Sequence, residues 1–282
     1  MTGRIFSVEE FSPFDGPGVR MTVFLKGCPL RCTWCHNPEG QRPQTEYMRR
    51  GGICRNCGNC VRFACRENGE LRLCEASASA CPEGRIRRCG EDITAEALTD
   101  RIRKNAAVLR MMGGGVTFSG GEPLMQADFV RECLDILRPD VHCAIQTCGY
   151  ADRNVFEQIL TCCDYVLYDL KLMSPTLHRT YCGTDNARVL KNYRALAESG
   201  IPFVTRIPLI PGVTDTAENL TAIASFLRRC GVSYAEVLPY NRMAGAKYEG
   251  LWRPYRPGFD ENRESCDGKD IFETYGIRIC RM

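Results

Sequence analysis

The sequence predicts an α/β fold: a parallel sheet with helices packed outside it, interrupted by a small cysteine-rich insert. Three observations carry that expectation. Short apolar runs alternate with stretches of helical periodicity about six times between residues 19 and 238, the pattern of a parallel sheet with helical crossovers. At 282 residues the chain can bury roughly 75% of its unfolded surface, so its core needs no disulfides. Residues 48–92 break the pattern, with seven cysteines and nine arginines but little periodicity of either kind. The expected organisation is a first strand and loop over 1–47, an insert over 48–92, and the rest of the sheet with a C-terminal extension over 93–282.

Each element has its own signal. Residues 19–25 alternate apolar side chains at period 2 and read as a strand. Thr94 can cap a helix with Glu96 in its first turn, and Leu98, Ile102, Ala106 and Leu109 follow at helical spacing. A strand is expected at 116–118. The next helix carries Phe129, Val130, Cys133, Leu134 and Leu137 on one face. Strands at 141–147, 165–169, 203–207 and 234–238 then alternate with helices near 154–160, 187–199 and 217–229. Six units are fewer than the eight of a closed barrel. The residues after Leu238 look irregular until a last helix and strand near 270–280.

Composition narrows the chemistry. The first twenty residues carry Arg4, Glu9, Glu10 and Asp15 and no apolar stretch like that of a secretion signal. No run of about 18 apolar residues suggests a membrane span. A cytoplasmic setting is expected, and 19 cysteines there point to metal or redox chemistry rather than disulfides. A net charge of +3 gives no general argument for nucleic acid.

The densest signal is Cys28-Pro29-Leu30-Arg31-Cys32-Thr33-Trp34-Cys35, directly after the first strand. Three thiolates in eight residues can hold an iron–sulfur cluster and leave one iron without a protein ligand, whereas most such clusters take four cysteines. On spacing alone a structural zinc site with His36 as fourth ligand stays open.

The flanks add a resemblance. Asp15-Gly16-Pro17-Gly18-Val19-Arg20, Phe24-Leu25-Lys26-Gly27-Cys28 and Trp34-Cys35-His36-Asn37-Pro38-Glu39 resemble the radical S-adenosylmethionine (SAM) enzymes, and more narrowly the activating enzymes of glycyl radical enzymes. The resemblance implies a partial, open (β/α)6 TIM-like barrel with an inserted ferredoxin-like subdomain. It implies that Cys28, Cys32 and Cys35 ligate a 4Fe–4S cluster whose open iron binds SAM, with Trp34 and His36 near the adenine. Ser119-Gly120-Gly121-Glu122-Pro123 matches the family's motif for the SAM amino group. Asp169 and Lys171 match its D-x-K element, for the ribose hydroxyls and the carboxylate. Arg206 is a second candidate for that carboxylate. Asn241 stands where relatives often have histidine. Gln146 stands where some relatives carry an acidic residue for a monovalent cation, so no cation is predicted.

In the insert, Cys54-x2-Cys57-x2-Cys60 reads as a ferredoxin half-motif, with Cys74 and Cys81-Pro82 resembling the second half. By the ferredoxin rule Cys54, Cys57, Cys60 and Cys81 complete one auxiliary cluster. Cys65, Cys74 and Cys89 remain as metal ligands for a second, one ligand short; a zinc ribbon is the alternative reading of the insert. The arginines read either as a solvated surface or as a dock for an acidic electron donor.

Together these imply an activase that cleaves SAM reductively and takes a hydrogen atom from a backbone glycine of a glycyl radical enzyme, with flavodoxin or ferredoxin as electron donor. Two other readings remain: a radical SAM enzyme acting on a different substrate, and a ferredoxin-like carrier without catalysis.

Overall fold

A computed structural model describes every residue of the chain except 53 and 139. In chain order the strands are β1 (Thr2–Ser12), β2 (Arg20–Leu25), β3 (Glu46–Arg49), β4 (Cys65–Glu67), β5 (Glu70–Arg72), β6 (Ile86–Cys89), β7 (Glu91–Thr94), β8 (Gly115–Gly120), β9 (His142–Thr147), β10 (Tyr165–Asp169), β11 (Phe203–Leu209), β12 (Tyr234–Pro239) and β13 (Arg278–Arg281). The helices are α1 (Asn59–Arg62), α2 (Glu75–Ser79), α3 (Ala95–Arg103), α4 (Ala106–Met111), α5 (Ala127–Leu137), α6 (Arg153–Leu160), α7 (Pro175–Cys182), α8 (Ala187–Glu198), α9 (Ala217–Arg229), α10 (Ala244–Gly250) and α11 (Lys269–Thr274). Among the described residues, no helix is long and apolar enough to cross a membrane.

Nine strands form one sheet in the order β13-β12-β11-β10-β9-β8-β2-β1-β7. The six strands expected from the sequence, β2 and β8 to β12, lie side by side and parallel. β13 extends the parallel run at one edge. β1 and β7 add an antiparallel pair at the other. The two edge strands are not paired with each other, so the barrel stays open. Helices α3, α5, α6, α8 and α9 close its outer face, burying Leu98, Leu134, Phe156, Tyr193 and Leu227 in one apolar core.

The cap at Thr94 forms as expected, its hydroxyl accepting from Ala97 N–H at 3.2 Å. The single helix expected over 94–109 is instead two, α3 and α4, parted at Lys104–Asn105. Asparagine competes with the helical backbone for hydrogen bonds and favours turns. Among the elements that went unread, two outside the insert show weak apolar periodicity. β1 spends Glu9 and Glu10 in solvent, and α7 is marked only by its Ser174 cap, Pro175 in its first turn and Gly183 at its end.

The insert is closed by its own two-stranded sheet, β3 with β6, from Glu46 opposite Cys89 to Arg49 opposite Ile86. Between these strands lie α1, the β4–β5 hairpin and α2. Among the described residues from 50 to 85, Leu73 is the one buried apolar side chain. Polar bonds do the holding: Asn59 Nδ2 donates to Ala80 O at 3.2 Å, and the Ser77 hydroxyl meets Cys60 O at 3.1 Å and Phe63 O at 3.2 Å.

Candidate active site

The C-terminal ends of the parallel strands open into a cavity of about 760 Å3, the place where this architecture gathers its chemistry. Every barrel residue singled out from the sequence lines it: Cys28, Cys32, Cys35, Trp34, His36, Gly120, Gly121, Glu122, Asp169, Lys171, Arg206 and Asn241.

The cysteine loop leaves the end of β2 and is pinned from both sides by backbone bonds. Gly27 N–H donates to Gly40 O at 2.7 Å and Cys28 N–H to Gln41 O at 3.0 Å. On its other side, Cys182 O accepts from Arg31 N–H at 2.8 Å and Tyr181 O from Thr33 N–H at 2.9 Å. Burial first, and then the neighbouring Cys32, pushes the Cys35 thiol up to about 11. Three anionic sulfurs held in so dry a place need a metal group to balance them. Among the described residues, no three His, Cys, Asp or Glu groups converge on a point where one ion could sit. Trp34 is buried with Leu30, Leu172 and Ile210 beneath the loop, while His36 is exposed.

The glycines of the 119–123 turn have a use that the sequence did not show. Gly120 has φ +113°, and a Cβ there would lie 2.3 Å from Leu25 N; one on Gly121 would lie 2.3 Å from Gly27 O. Their immediate reason is backbone packed on backbone, which ties this turn to the root of the cysteine loop. Glu122 is buried at 1% exposure. It accepts from Leu124 N–H at 3.2 Å, Thr147 Oγ1 at 2.5 Å and Cys148 N–H at 2.8 Å. A carboxylate accepts about four hydrogen bonds, so one site remains. Burial pushes its pKa up, and the Cys148 and Thr147 donors partly offset this. Periodicity carried no sign of Thr147 and Cys148 as its partners.

Asp169 ends β10, and Lys171 lies just beyond it. Lys171 Nζ meets Asp169 Oδ2 at 2.9 Å. Burial alone would lower the lysine's pKa, but Asp169 beside it reverses this and the net shift is upward. The other oxygen, Asp169 Oδ1, is buried without a hydrogen-bond partner. An orphaned acceptor on a cavity wall suits a ligand that brings hydroxyl donors.

Arg206 lies opposite Asp169 in the sheet register but is spent elsewhere. Its Nε donates to Glu236 Oε2 at 2.9 Å, its Nη1 lies 4.0 Å from Asp15 Oδ1, and its Nη2 bonds Phe14 O. Asn241 Oδ1 accepts from Met243 N–H at 2.9 Å, leaving its amide NH2 free to serve a ligand. Ser119 Oγ donates to Gln146 Oε1 at 3.0 Å. Lys247, on α10 and unread from the sequence, joins the rim through Asn37 Oδ1 at 3.0 Å and Glu39 Oε1 at 3.2 Å.

Of the insert cysteines, Cys54, Cys57, Cys60 and Cys81 are unbridged. α1, which carries Cys60, and the turn after α2, which carries Cys81, are drawn together by the Asn59–Ala80 bond. Two sulfurs accept backbone N–H groups: Cys54 from Asn56 at 3.4 Å and Cys81 from Arg85 at 3.3 Å. Such donors are what cluster thiolates receive. Cys57 is exposed and unbridged. The other three are placed differently. Cys65 and Cys74 face each other across a Cα–Cα distance of 6.0 Å, which brings their sulfurs together. Cys89 is fully buried with Phe6, Met48 and Leu251, where it acts as a small core residue.

The comparisons agree with this geometry. Residues 22–224 match the Radical SAM superfamily. The isethionate sulfite-lyase activating enzyme of Nitratidesulfovibrio vulgaris is 37% identical over 272 residues, covering 89% of this chain and 88% of its own. The pyruvate formate-lyase 2-activating enzyme of Escherichia coli is 37% identical over 280 residues, covering 98% and 91%. A radical SAM methyltransferase from Sphaerobacter thermophilus, 14% identical, matches 98% of this chain and 76% of its own at a TM-score of 0.54, which shows the shared fold. The chain belongs to the radical SAM superfamily and, within it, to the glycyl radical enzyme activating enzymes.

Proposed function

We propose that this chain activates a glycyl radical enzyme with the residues gathered in the barrel cavity. When bound at the cysteine loop, a 4Fe–4S cluster supplies one electron to the sulfonium of SAM, giving a 5′-deoxyadenosyl radical that takes a hydrogen atom from a glycine Cα of the partner. Cys28, Cys32 and Cys35 hold that cluster and leave one iron free. Asp169 Oδ1 accepts from a ribose hydroxyl, and Lys171 pairs with the methionyl carboxylate. Glu122 turns its remaining acceptor toward the amino group, and the packing of Gly120 and Gly121 fixes where that carboxylate sits. Trp34 and His36 flank the adenine, and the Asn241 amide donates to the nucleoside. Arg206, already neutralised by Glu236 and Asp15, shapes the wall instead of binding the carboxylate. Nothing acid–base is required of the chain, because the transfer moves a hydrogen atom. Its task is to hold the reactants and exclude water.

Cys54, Cys57, Cys60 and Cys81 hold an auxiliary cluster that passes electrons inward. Flavodoxin or ferredoxin, whose acidic faces suit the insert's arginines, supplies them in the cytoplasm. The observation that carries the reading is the joining of three loop thiols, an orphaned Asp169 oxygen and a paired Lys171 in one cavity. It is tested by incubating reconstituted protein anaerobically with SAM and dithionite and measuring 5′-deoxyadenosine. The wild type produces it and Cys32→Ser does not. Undiminished product from Cys32→Ser would overturn the ligand assignment.

A further inference from the structure

Residues 37–41, which lead out of the cysteine loop, are gripped by charged side chains that the mechanism does not use. Lys26, just past β2, donates from Nζ to Glu39 O at 2.7 Å, Glu46 Oε2 at 3.2 Å and Cys89 O at 3.3 Å. Three acceptors take three N–H groups, so this buried amine is an ammonium. Arg253, beyond α10, donates to Pro38 O at 3.0 Å and pairs with Glu46. Arg87 of the insert strand β6 and Lys247 of α10 share Glu39 Oε1, at 3.1 and 3.2 Å. Arg42 lies 3.6 Å from Glu46 at the outer edge.

Five cations thus share two carboxylates, and among the described residues none of the five pairs with another acid. Glu39 is 1% exposed, and both Glu46 and Arg253 keep 12% of their side-chain surface. Unbalanced charge in so dry a place is costly unless an anion lies near, and its field is weakly screened there. The node stands beside the cysteine loop: Glu39 is four residues past Cys35, and Lys247 lines the same cavity as Cys35.

We infer that this surplus of positive charge around Glu39 and Glu46 raises the reduction potential of a cluster bound at Cys28, Cys32 and Cys35. Reduction adds one negative charge to such a cluster, so neighbouring cations favour the reduced form, and charge is among the factors that set these potentials. The inference rests on the proposed cluster in the loop.

The test is a redox titration of the reconstituted holoenzyme, following by electron paramagnetic resonance the cluster signal that responds to SAM. Iron content is measured in parallel. Arg87→Gln and Lys247→Gln each remove one positive charge, so their midpoints fall below the wild type with iron content unchanged. Lys247→Arg keeps the charge and holds the midpoint. Glu39→Gln removes a negative charge at nearly constant shape, so its midpoint rises. Arg153→Gln, an equal loss of charge on the outer helix α6, leaves the midpoint in place. A merely structural role would move the Glu39 variant in the same direction as Arg87→Gln and Lys247→Gln, and that result would overturn the inference. So would equal midpoints in all of these proteins, or loss of the cluster from Arg87→Gln, Lys247→Gln and Glu39→Gln alike. Failure of the underlying reading looks different: no SAM-responsive cluster would form even in the wild type.

Discussion

The barrel cavity and the insert are both rich in cysteine, yet they are held in opposite ways. In the cavity the ligands stand on a finished fold. The loop of Cys28, Cys32 and Cys35 is bonded on one side to residues 40 and 41 and on the other to 181 and 182. Its neighbours Glu122 and Lys171 have their partners in place. In the insert, Leu73 is the one buried apolar side chain among the described residues from 50 to 85, so little but polar bonds holds the segment. On the proposed reading, the difference separates a site that shapes its cofactor from a segment that its cofactor must shape.

The largest expected effect breaks the two apart directly. Stripping iron with a chelator should leave the barrel intact and open the insert to trypsin at Arg55, Arg62 and Arg66, which are exposed. Mass spectrometry of the fragments would show cuts confined to about residues 50–88. Cuts spread evenly through the barrel would mean that the barrel too depends on metal.

A second substitution probes the fold beneath the cavity. The guanidinium of Arg20 is buried at 0% exposure and donates to Thr117 Oγ1 at 2.6 Å, Pro17 O at 3.1 Å and His142 O at 3.1 Å. Burial holds its pKa down to about 10. Arg20→Ala should cost about 3 kcal/mol of stability by stranding those acceptors, read by chemical denaturation. A loss under about 1 kcal/mol would mean that water replaces the side chain.

A smaller effect is expected at Asp169. Asp169→Asn removes the charge that supports Lys171 and offers a poorer acceptor at the orphaned position. SAM affinity, measured by equilibrium dialysis, should fall about tenfold, the worth of one charge-assisted hydrogen bond. Unchanged affinity would remove Asp169 from the binding site.

The smallest effect sharpens the insert itself. Cys89→Ala should leave iron content untouched and cost about 1 kcal/mol, as expected for trimming a small core side chain. Cys57→Ser should instead lower iron by roughly four atoms per chain while the SAM-responsive cluster survives. Iron lost from Cys89→Ala would return that residue to the ligand set.

How far these features were legible follows from what sets them. The six parallel strands were readable because each is an apolar run, and β2 and β8 to β12 all lie where expected. The cavity residues were readable because their motifs sit at strand ends, where this fold gathers its site. What escaped was set by contacts between distant segments. Nothing near Glu122 announces Thr147 and Cys148 as its donors, and nothing near Arg206 announces Glu236 and Asp15. Nothing near Asp169 announces that Lys171 takes one of its oxygens while the other, Oδ1, is buried without a partner. Cys65, Cys74 and Cys89 were offered as ligands by count alone. Cys65 meets Cys74 across the insert and Cys89 sits in an apolar pocket against β1, and spacing can express neither placement.

The central claim is that the loop of Cys28, Cys32 and Cys35 presents an open iron to SAM. It is tested most directly by electron paramagnetic resonance of the anaerobically reconstituted, dithionite-reduced protein, recorded with and without SAM. A reduced 4Fe–4S signal that changes on adding SAM, and persists in Cys57→Ser, is the predicted result. A cluster signal blind to SAM would contradict it and leave the chain as an electron carrier.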